Sequence, residues 1–418
     1  MKIFYNLFIR IYPFIAQLIG AKNTKAKLWV DGRKNIFSNL TQAFSTNKSL
    51  VIWMHCSSLG EFEQGRPVLE QLKSSYPQHK ILLTFFSPSG YEIHKNYASA
   101  NWIFYLPMDN EKNATQFFNI VQPQLILFVK YDFWYYYLQQ AQQRKIPLLL
   151  ISGVFRSNQP FFKWYGSFHK SMLQCFTHFF VQNEESKNLL HSIGIEKNVS
   201  VGGDTRFDRV LEIAEQEINI ELIEKFAGNQ PLIVAGSTWP EDDYELSHYI
   251  NSNETLKCII APHDINNERI KQCQQIFLNT ILWSDYSKNE TTDNKAQCLI
   301  IDNVGMLSKL YKYATIAYVG GGFGNDGVHN VLEAAVFYKP VILGPEYEKY
   351  IEAIELLEAE GAWSIDSTID LESKMNELLT NTELYKKACN SAGNYVQSKS
   401  GATKKVIEYI YENRLLTN

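Results

Sequence analysis

The sequence predicts an α/β protein made of two parallel sheets, each wrapped by helices. Three observations carry this. From Leu50 onward, short apolar runs alternate with helix-period segments, the rhythm of repeated βαβ units. The runs fall into two series separated by a charged stretch near residues 205–229. A length of 418 residues, at roughly 100–200 per domain, asks for two or three domains.

Residues 3–20, IFYNLFIRIYPFIAQLIG, come first. Asn6, Arg10, Pro13 and Gln17 interrupt the apolar run, which fits neither a clean spanning helix nor a signal peptide. An apolar helix lying in a membrane interface fits better. Residues 1–50 carry eight Lys or Arg against Asp31 alone, a balance that favours an anionic cytoplasmic leaflet. The competing reading is an ordinary helix docked on its own domain.

Expected strands of the first series are Leu50–His55, Lys80–Phe85, Trp102–Leu106, Leu125–Lys130, Pro147–Ser152 and His178–Gln182, with helices such as Glu61–Ser75 and Asn113–Val121 between them. The second series is Pro231–Ala235, Lys257–Ala261, Cys298–Asp302, Thr315–Val319 and Pro340–Leu343, and an amphipathic helix closes the chain near Thr403–Leu416. The expected division is residues 1–20 as a membrane-associating helix, 21–210 and 211–400 as two Rossmann-like domains, and 401–418 as a C-terminal helix that packs across either. Ligands of such sheets bind where the strands end, so the loops leaving the strands matter.

Composition narrows the function. A net charge of −4 and a pI near 6.2 give no basic bias for nucleic acid. Six scattered Cys, none in a CxxC pair, point to a reducing compartment and to no zinc site.

Among the loops, Ser58 and Gly60 precede Glu61, a carboxylate at a helix start where it can serve as general base or simply stabilise the helix. Ser87-Pro88-Ser89-Gly90 can cap a helix or bind an anion. Asp132 stands at a strand end beside an aromatic run. Arg156 leaves a buried strand with no nearby acid and suits an anion or a distant carboxylate. In the second series, Ser237 and Thr238 follow one strand and His263 follows the next. The strongest local signal is Gly320–Glu333, with five glycines in eight positions ahead of a predicted helix that opens at His329-Asn330. Such a turn brings backbone amides to a phosphate. Gly322, Gly324 and Gly327 also match GxGxxG, with Glu346 near the place of a ribose acid. This supports an alternative, a nicotinamide or flavin oxidoreductase, against which the loop's late position in its domain argues.

Taken in order, these loops resemble the Kdo (3-deoxy-D-manno-octulosonic acid) transferases of lipid A assembly, over nearly the whole chain. The family pattern H-x-x-S-x-G-E reads His55-Cys56-Ser57-Ser58-Leu59-Gly60-Glu61, the Ser-x-Ser-Gly loop reads Ser87 to Gly90, and G-x-H-N-x-L-E reads Gly327 to Glu333, followed by Pro340 to Pro345. Departures are Lys130 and Asp132 in place of the two acids of E-T-E-L-W-P, the missing first Arg of P-R-H-P-E-R in the loop starting at Pro262, and Trp239-Pro240 after Ser237-Thr238.

The resemblance implies a GT-B type fold with the two domains facing a cleft, and inverting transfer of Kdo from CMP-Kdo to a lipid A precursor in lipopolysaccharide biosynthesis. It implies Glu61 and Asp132 as catalytic. Ser58, Ser87, Ser89, Gly90 and Arg156 would serve the acceptor or an anion. Ser237, Thr238, His263, Gly322, Gly327, His329, Asn330 and Glu333 would serve the donor nucleotide. No metal or cofactor is expected. The expected partners are CMP-Kdo, the lipid A precursor and the membrane surface, at the cytoplasmic face of the inner membrane. A GT-B enzyme using a UDP-sugar is a further alternative.

Overall fold

The computed structural model describes residues 1–130, 132–288, 295–324 and 327–416. Tyr131 of the aromatic run and Asn325-Asp326 of the Gly-rich loop thus lie outside the described residues. The chain forms two compact units, Met1–Arg209 with Ser400–Asn418, and Val210–Lys399.

The first unit opens with three helices, α1 (Lys2–Gly20), α2 (Thr24–Asp31) and α3 (Ile36–Phe44). There follow β1 (Val51–Cys56), α4 (Leu59–Ser75), β2 (Lys80–Phe85), α5 (Pro88–His94), β3 (Trp102–Tyr105), α6 (Glu111–Val121), β4 (Pro123–Val129), α7 (Tyr135–Gln143), β5 (Leu148–Gly153), β6 (His178–Val181) and β7 (Val199–Val201). The strands pair in parallel in the order β3-β2-β1-β4-β5-β6-β7. Their continuous apolar runs suit a sheet covered on both faces; all six residues of β1 and of β5 are buried. On one face Trp53 packs among Phe117, Phe128 and Tyr137. On the other, the helix Ala402–Glu412 buries Val406 and Ile410 beside Ile52, Leu69 and Leu127. The last helix therefore belongs to the first unit, where Asp208 caps it by accepting the backbone N–H groups of Gly401 and Thr403 at 2.5 and 2.6 Å.

α1 divides its surface between two environments. It is long and apolar enough to cross a membrane by length and composition. One side docks: Ile9 is buried, Tyr12 stands edge-on to Trp29, Tyr5 donates to the Asp109 carboxylate, and Asn6 accepts from the Tyr136 hydroxyl at 2.7 Å. The other side leaves Phe4 69%, Phe14 62% and Leu18 63% exposed, beside Leu7, Phe8 and Ile11. Of the basic residues counted near the N-terminus, Arg33 is withdrawn into the fold. Its guanidinium lies over Trp29, donates to the carbonyls of Leu106 and Phe86, and burial lowers its pKa to about 9.

In the second unit, β8 (Leu232–Thr238), β9 (Lys257–Pro262), β10 (Thr280–Leu282), β11 (Cys298–Ile300), β12 (Ile316–Val319), β13 (Val341–Leu343) and β14 (Ala362–Ser364) pair in parallel in the order β10-β11-β9-β8-β12-β13-β14. The Gly-rich loop thus follows the fifth strand of its unit. The charged stretch near 205–229 contains two helices, Thr205–Glu215 and Glu221–Ala227, and the division between units falls within the first of them.

The first sheet reverses its strand order between β1 and β4, and the second between β8 and β12, with β10 lying outside β11 at the second sheet's edge. In open α/β sheets, ligands bind at such reversal points, outside the C-terminal strand ends.

Candidate functional site

The first reversal point carries two carboxylates. Glu61 sits in the first turn of α4 and is buried. It accepts the backbone N–H of Ser57. Burial, followed by the nearby negative charge of Asp132, raises its pKa to about 8. The Ser57 and Ser58 amides and the Lys130 ammonium oppose the shift without cancelling it. Lys130 itself turns the chain out of β4 with a φ of 69°.

Asp132 is held from behind. His55 Nε2 lies 2.8 Å from its Oδ2, and the Trp134 indole N–H donates to the same oxygen at 3.0 Å. The tautomer follows from the next layer. The Trp53 indole donates to Thr84 Oγ1 at 2.8 Å, so the Thr84 hydroxyl proton goes elsewhere. His55 Nδ1 at 2.8 Å is a better acceptor than the Met54 carbonyl at 3.5 Å. Nδ1 therefore accepts, and Nε2–H faces the carboxylate. This chain of four residues, three of them buried in the sheet core, fixes Asp132 in place.

The remaining residues expected here do more local work. Ser58 is the N-cap position of α4 without a side-chain capping bond. Ser87 caps α5, accepting from the Ser89 amide at 3.3 Å, and its own N–H donates to the Ser57 carbonyl at 2.7 Å, tying the β1 and β2 loops together. Gly90 is required by packing, since a Cβ there would stand 2.3 Å from the Phe85 ring. Arg156 is exposed; its backbone N–H donates to Gln159 Oε1 and its carbonyl accepts the Gln159 N–H, both at 3.0 Å.

At the second reversal point, Asp242 organises the loops. Buried at the start of the helix Pro240–Ser252, it accepts the N–H groups of Trp239 and Gly321 and the Tyr318 hydroxyl at 2.8–2.9 Å. Ser237 adopts a left-handed φ of 54°, and Thr238 is buried. The rings of Trp239, His263 and His329 stack in sequence, with centroids 4.7 and 4.5 Å apart, and Trp239 Nε1–H donates to His329 Nε2 at 3.1 Å. Asn330 Nδ2 donates to Glu333 Oε1 at 3.1 Å.

One expectation needs correction. The helix predicted to open at His329-Asn330 is a single turn, Leu332–Ala335, because the chain must reach Pro340 and enter β13. So short a helix contributes little dipole to a phosphate site. The glycines also have a packing role: a Cβ on Gly322 would stand 2.7 Å from the Gly344 backbone, while Gly327 has a φ of 82° and faces Tyr350. Gly324 alone of the GxGxxG positions has open space, its nearest contact being 3.6 Å away. Among the described residues no group of three or more His, Cys, Asp or Glu is placed to hold a metal ion.

Sequence reasoning missed Thr84, Trp134, Asp242 and the stacking role of Trp239, and met His55 only as one letter of a motif. The legible signals were a histidine ending an otherwise apolar strand, and an indole two residues after Asp132.

Residues 33–209 match the family model described as 3-Deoxy-D-manno-octulosonic-acid transferase (kdotransferase). That segment of the first unit is similar to the Kdo transferase family. The chain is 28% identical over 337 residues to the 3-deoxy-D-manno-octulosonic acid transferase of Aquifex aeolicus, covering 79% of this chain and 86% of the relative. It is 26% identical over 392 residues to a bifunctional glycosyltransferase/methyltransferase of Fusobacterium nucleatum, covering 91% of this chain. The chain spans only 58% of that second relative's length. Among solved structures, UDP-GlcNAc 2-epimerase from Neisseria meningitidis superimposes with a TM-score of 0.61 at 17% identity, over 87% of this chain and all of that chain. The fold is that of the GT-B class.

Proposed function

We propose that this chain is a Kdo transferase that moves Kdo from CMP-Kdo to a hydroxyl of a lipid A precursor, with inversion at the anomeric carbon. The observation that carries the reading is the pair of carboxylates flanking the first reversal point, on the segment that matches the family model. Glu61 takes the proton of the attacking hydroxyl; a carboxylate tuned toward neutral pH by burial and a like charge suits that task. Asp132, fixed by His55 and Trp134, stands beside it. The first unit takes the acceptor, and the exposed Arg156 meets an anionic group of it.

The second unit takes the nucleotide. Asn330 and Glu333 hold each other in one orientation, as groups that hydrogen-bond a ribose or phosphate must be held. The Gly-rich loop lends backbone amides to the leaving phosphate. No cofactor or metal is part of the reading. The exposed apolar side of α1, with Lys22, Lys25 and Lys27 nearby, rests on the anionic surface of the cytoplasmic face of the inner membrane, where a lipid acceptor stays.

Incubation with CMP-Kdo and a lipid A precursor, followed by mass spectrometry, tests the reading; an acceptor of unchanged mass overturns it. Thermal protection separates the alternatives, because a ligand bound only by the folded chain raises its midpoint. CMP protects if the reading holds, UDP points to another sugar donor, and NAD(P) or FAD points to the oxidoreductase.

A further inference from the structure

We propose that the cavity between α1, α2 and the start of α5 holds one acyl chain of a phosphorylated glycolipid acceptor. The proposal rests on the Kdo-transfer reading and deepens it, by assigning a place for part of the acceptor distant from the reacting hydroxyl.

The cavity measures about 290 Å³ and is lined by Tyr12, Ile15 and Ile19 of α1, Ala26 and Trp29 of α2, and Phe86 after β2. Its walls are mostly apolar, which favours a hydrocarbon over a headgroup. Four observations identify the occupant.

Ile15 and Ile19 line the cavity and also belong to the exposed apolar side of α1. A chain leaving a bilayer against that side meets apolar surface all the way in. Lys25 lines the same cavity, and Lys22 is exposed beside it. Their ammonium groups match the phosphate of a lipid headgroup and have no use for a neutral lipid.

The cavity also borders the reacting groups. Phe86 packs at 4.6 Å on Trp134, whose indole N–H donates to Asp132. Ser87, another lining residue, donates its N–H to Ser57, and Ser57 donates its own to Glu61. The Trp134 ring links the cavity wall to Asp132, and the backbones of Ser87 and Ser57 link it to Glu61.

Finally, Trp29 is 6% exposed, and its Nε1–H has no acceptor among the described residues. A buried N–H without a partner is costly. The carbonyl or hydroxyl oxygen near the head of an acyl chain would satisfy it, which a plain alkane would not.

The test uses the full chain and two cavity-filling variants, Ala26→Phe and Ala16→Phe, neither placed in the reaction. Three probes are read: cis-parinaric acid, an eighteen-carbon fluorescent fatty acid; an acylated lipid A precursor; and the same glycan with its acyl chains removed. The wild type is expected to bind parinaric acid saturably and to release it to the acylated precursor but not to the deacylated glycan. Ala26→Phe is expected to lose about tenfold or more in parinaric affinity and in kcat/KM on the acylated acceptor, with unchanged kcat/KM on the deacylated one and unchanged CMP affinity. Equal losses on both acceptors, or none on the acylated one, overturn the acyl site. Ala16→Phe repeats the measurement from the α1 wall if Ala26→Phe does not fold, and the wild-type displacement experiment decides if neither does. The two readings fail separately. If Kdo reaches no acceptor while parinaric binding still falls in the variant, the transfer reading fails and the acyl site stands. If Kdo is transferred but parinaric acid does not bind, the acyl site fails and the transfer reading stands.

Discussion

The Glu61 carboxyl keeps its proton up to about pH 8 because it is buried in the first turn of α4 and faces the negative charge of Asp132 across the point where the first sheet reverses its order. The two residues stand 71 positions apart in the chain. Their coupling is made by the sheet, since β1 and β4 are neighbours.

Glu61→Gln keeps the shape of the side chain and removes the carboxylate proposed as the base. Turnover is expected to fall by roughly 10²–10⁴ with CMP binding intact. Near-normal turnover would sink the assignment and leave Asp132 as the next candidate.

Stability adds an independent measure of the same residue. Below the ordinary carboxylate value of 4.5, both folded and unfolded chains hold the proton; from there to about 8 the unfolded chain loses it first. The unfolded state then binds fewer protons, so stability falls as pH rises through this window and levels off above it. Glu61→Gln is expected to melt above the wild type at pH 8.5 and with it near pH 4. A gap of the same size at both values would show that the ionisation plays no part.

Asp132→Asn removes the charge that helps to hold the Glu61 proton. The acid limb of the rate profile, read on whatever activity survives, is expected to move to lower pH. His55→Phe, which removes the Nε2–H facing Asp132, should lower turnover without that displacement. A limb unmoved in Asp132→Asn would mean that burial alone sets the Glu61 value.

In the second unit, Asn330→Ala and Glu333→Ala are expected to weaken CMP binding, measured by calorimetric titration, in proteins that stay folded. Unchanged affinity in both would place the nucleotide elsewhere. The glycines separate packing from binding. Gly322→Ala drives a Cβ into the Gly344 backbone and should cost about 1–3 kcal/mol of stability, whereas Gly324→Ala meets open space and should melt close to the wild type. A Gly324→Ala protein that melts well below the wild type would contradict this division.

Removing residues 1–20 outright would uncover Asp109 and Trp29, so point changes on the exposed side of α1 test membrane contact more cleanly. The triple variant Phe4→Ser, Leu7→Ser and Phe14→Ser is expected to lose most sedimentation with anionic liposomes while keeping CMP binding. High salt should weaken the wild-type interaction only in part, because it screens the lysines and leaves the apolar contact. A triple variant that sediments like the wild type would move the contact elsewhere.

By itself the sequence determined the α/β class, the two strand series and the loops that carry chemistry, because those signals are local. A parallel strand buried on both faces must be a continuous apolar run, as in Val51–Cys56 and Pro123–Val129. The strands it did not disclose, Val199–Val201, Thr280–Leu282 and Ala362–Ser364, are three-residue elements at or next to sheet edges, where one-sided pairing and partial exposure erase the pattern. Residue type and loop position were enough to single out Glu61 and Asp132 separately. Tertiary structure alone decided that the charge of one raises the pKa of the other and that His55, Thr84 and Trp134 lock Asp132. It also decided that α1 docks by Tyr5, Ile9 and Tyr12 while leaving Phe4 and Phe14 in the open. The physical reason is distance along the chain: a pKa shift, a tautomer or a split helix surface arises from groups brought together by strand order, and strand order is set by how whole elements pack, not by the residues beside them in sequence.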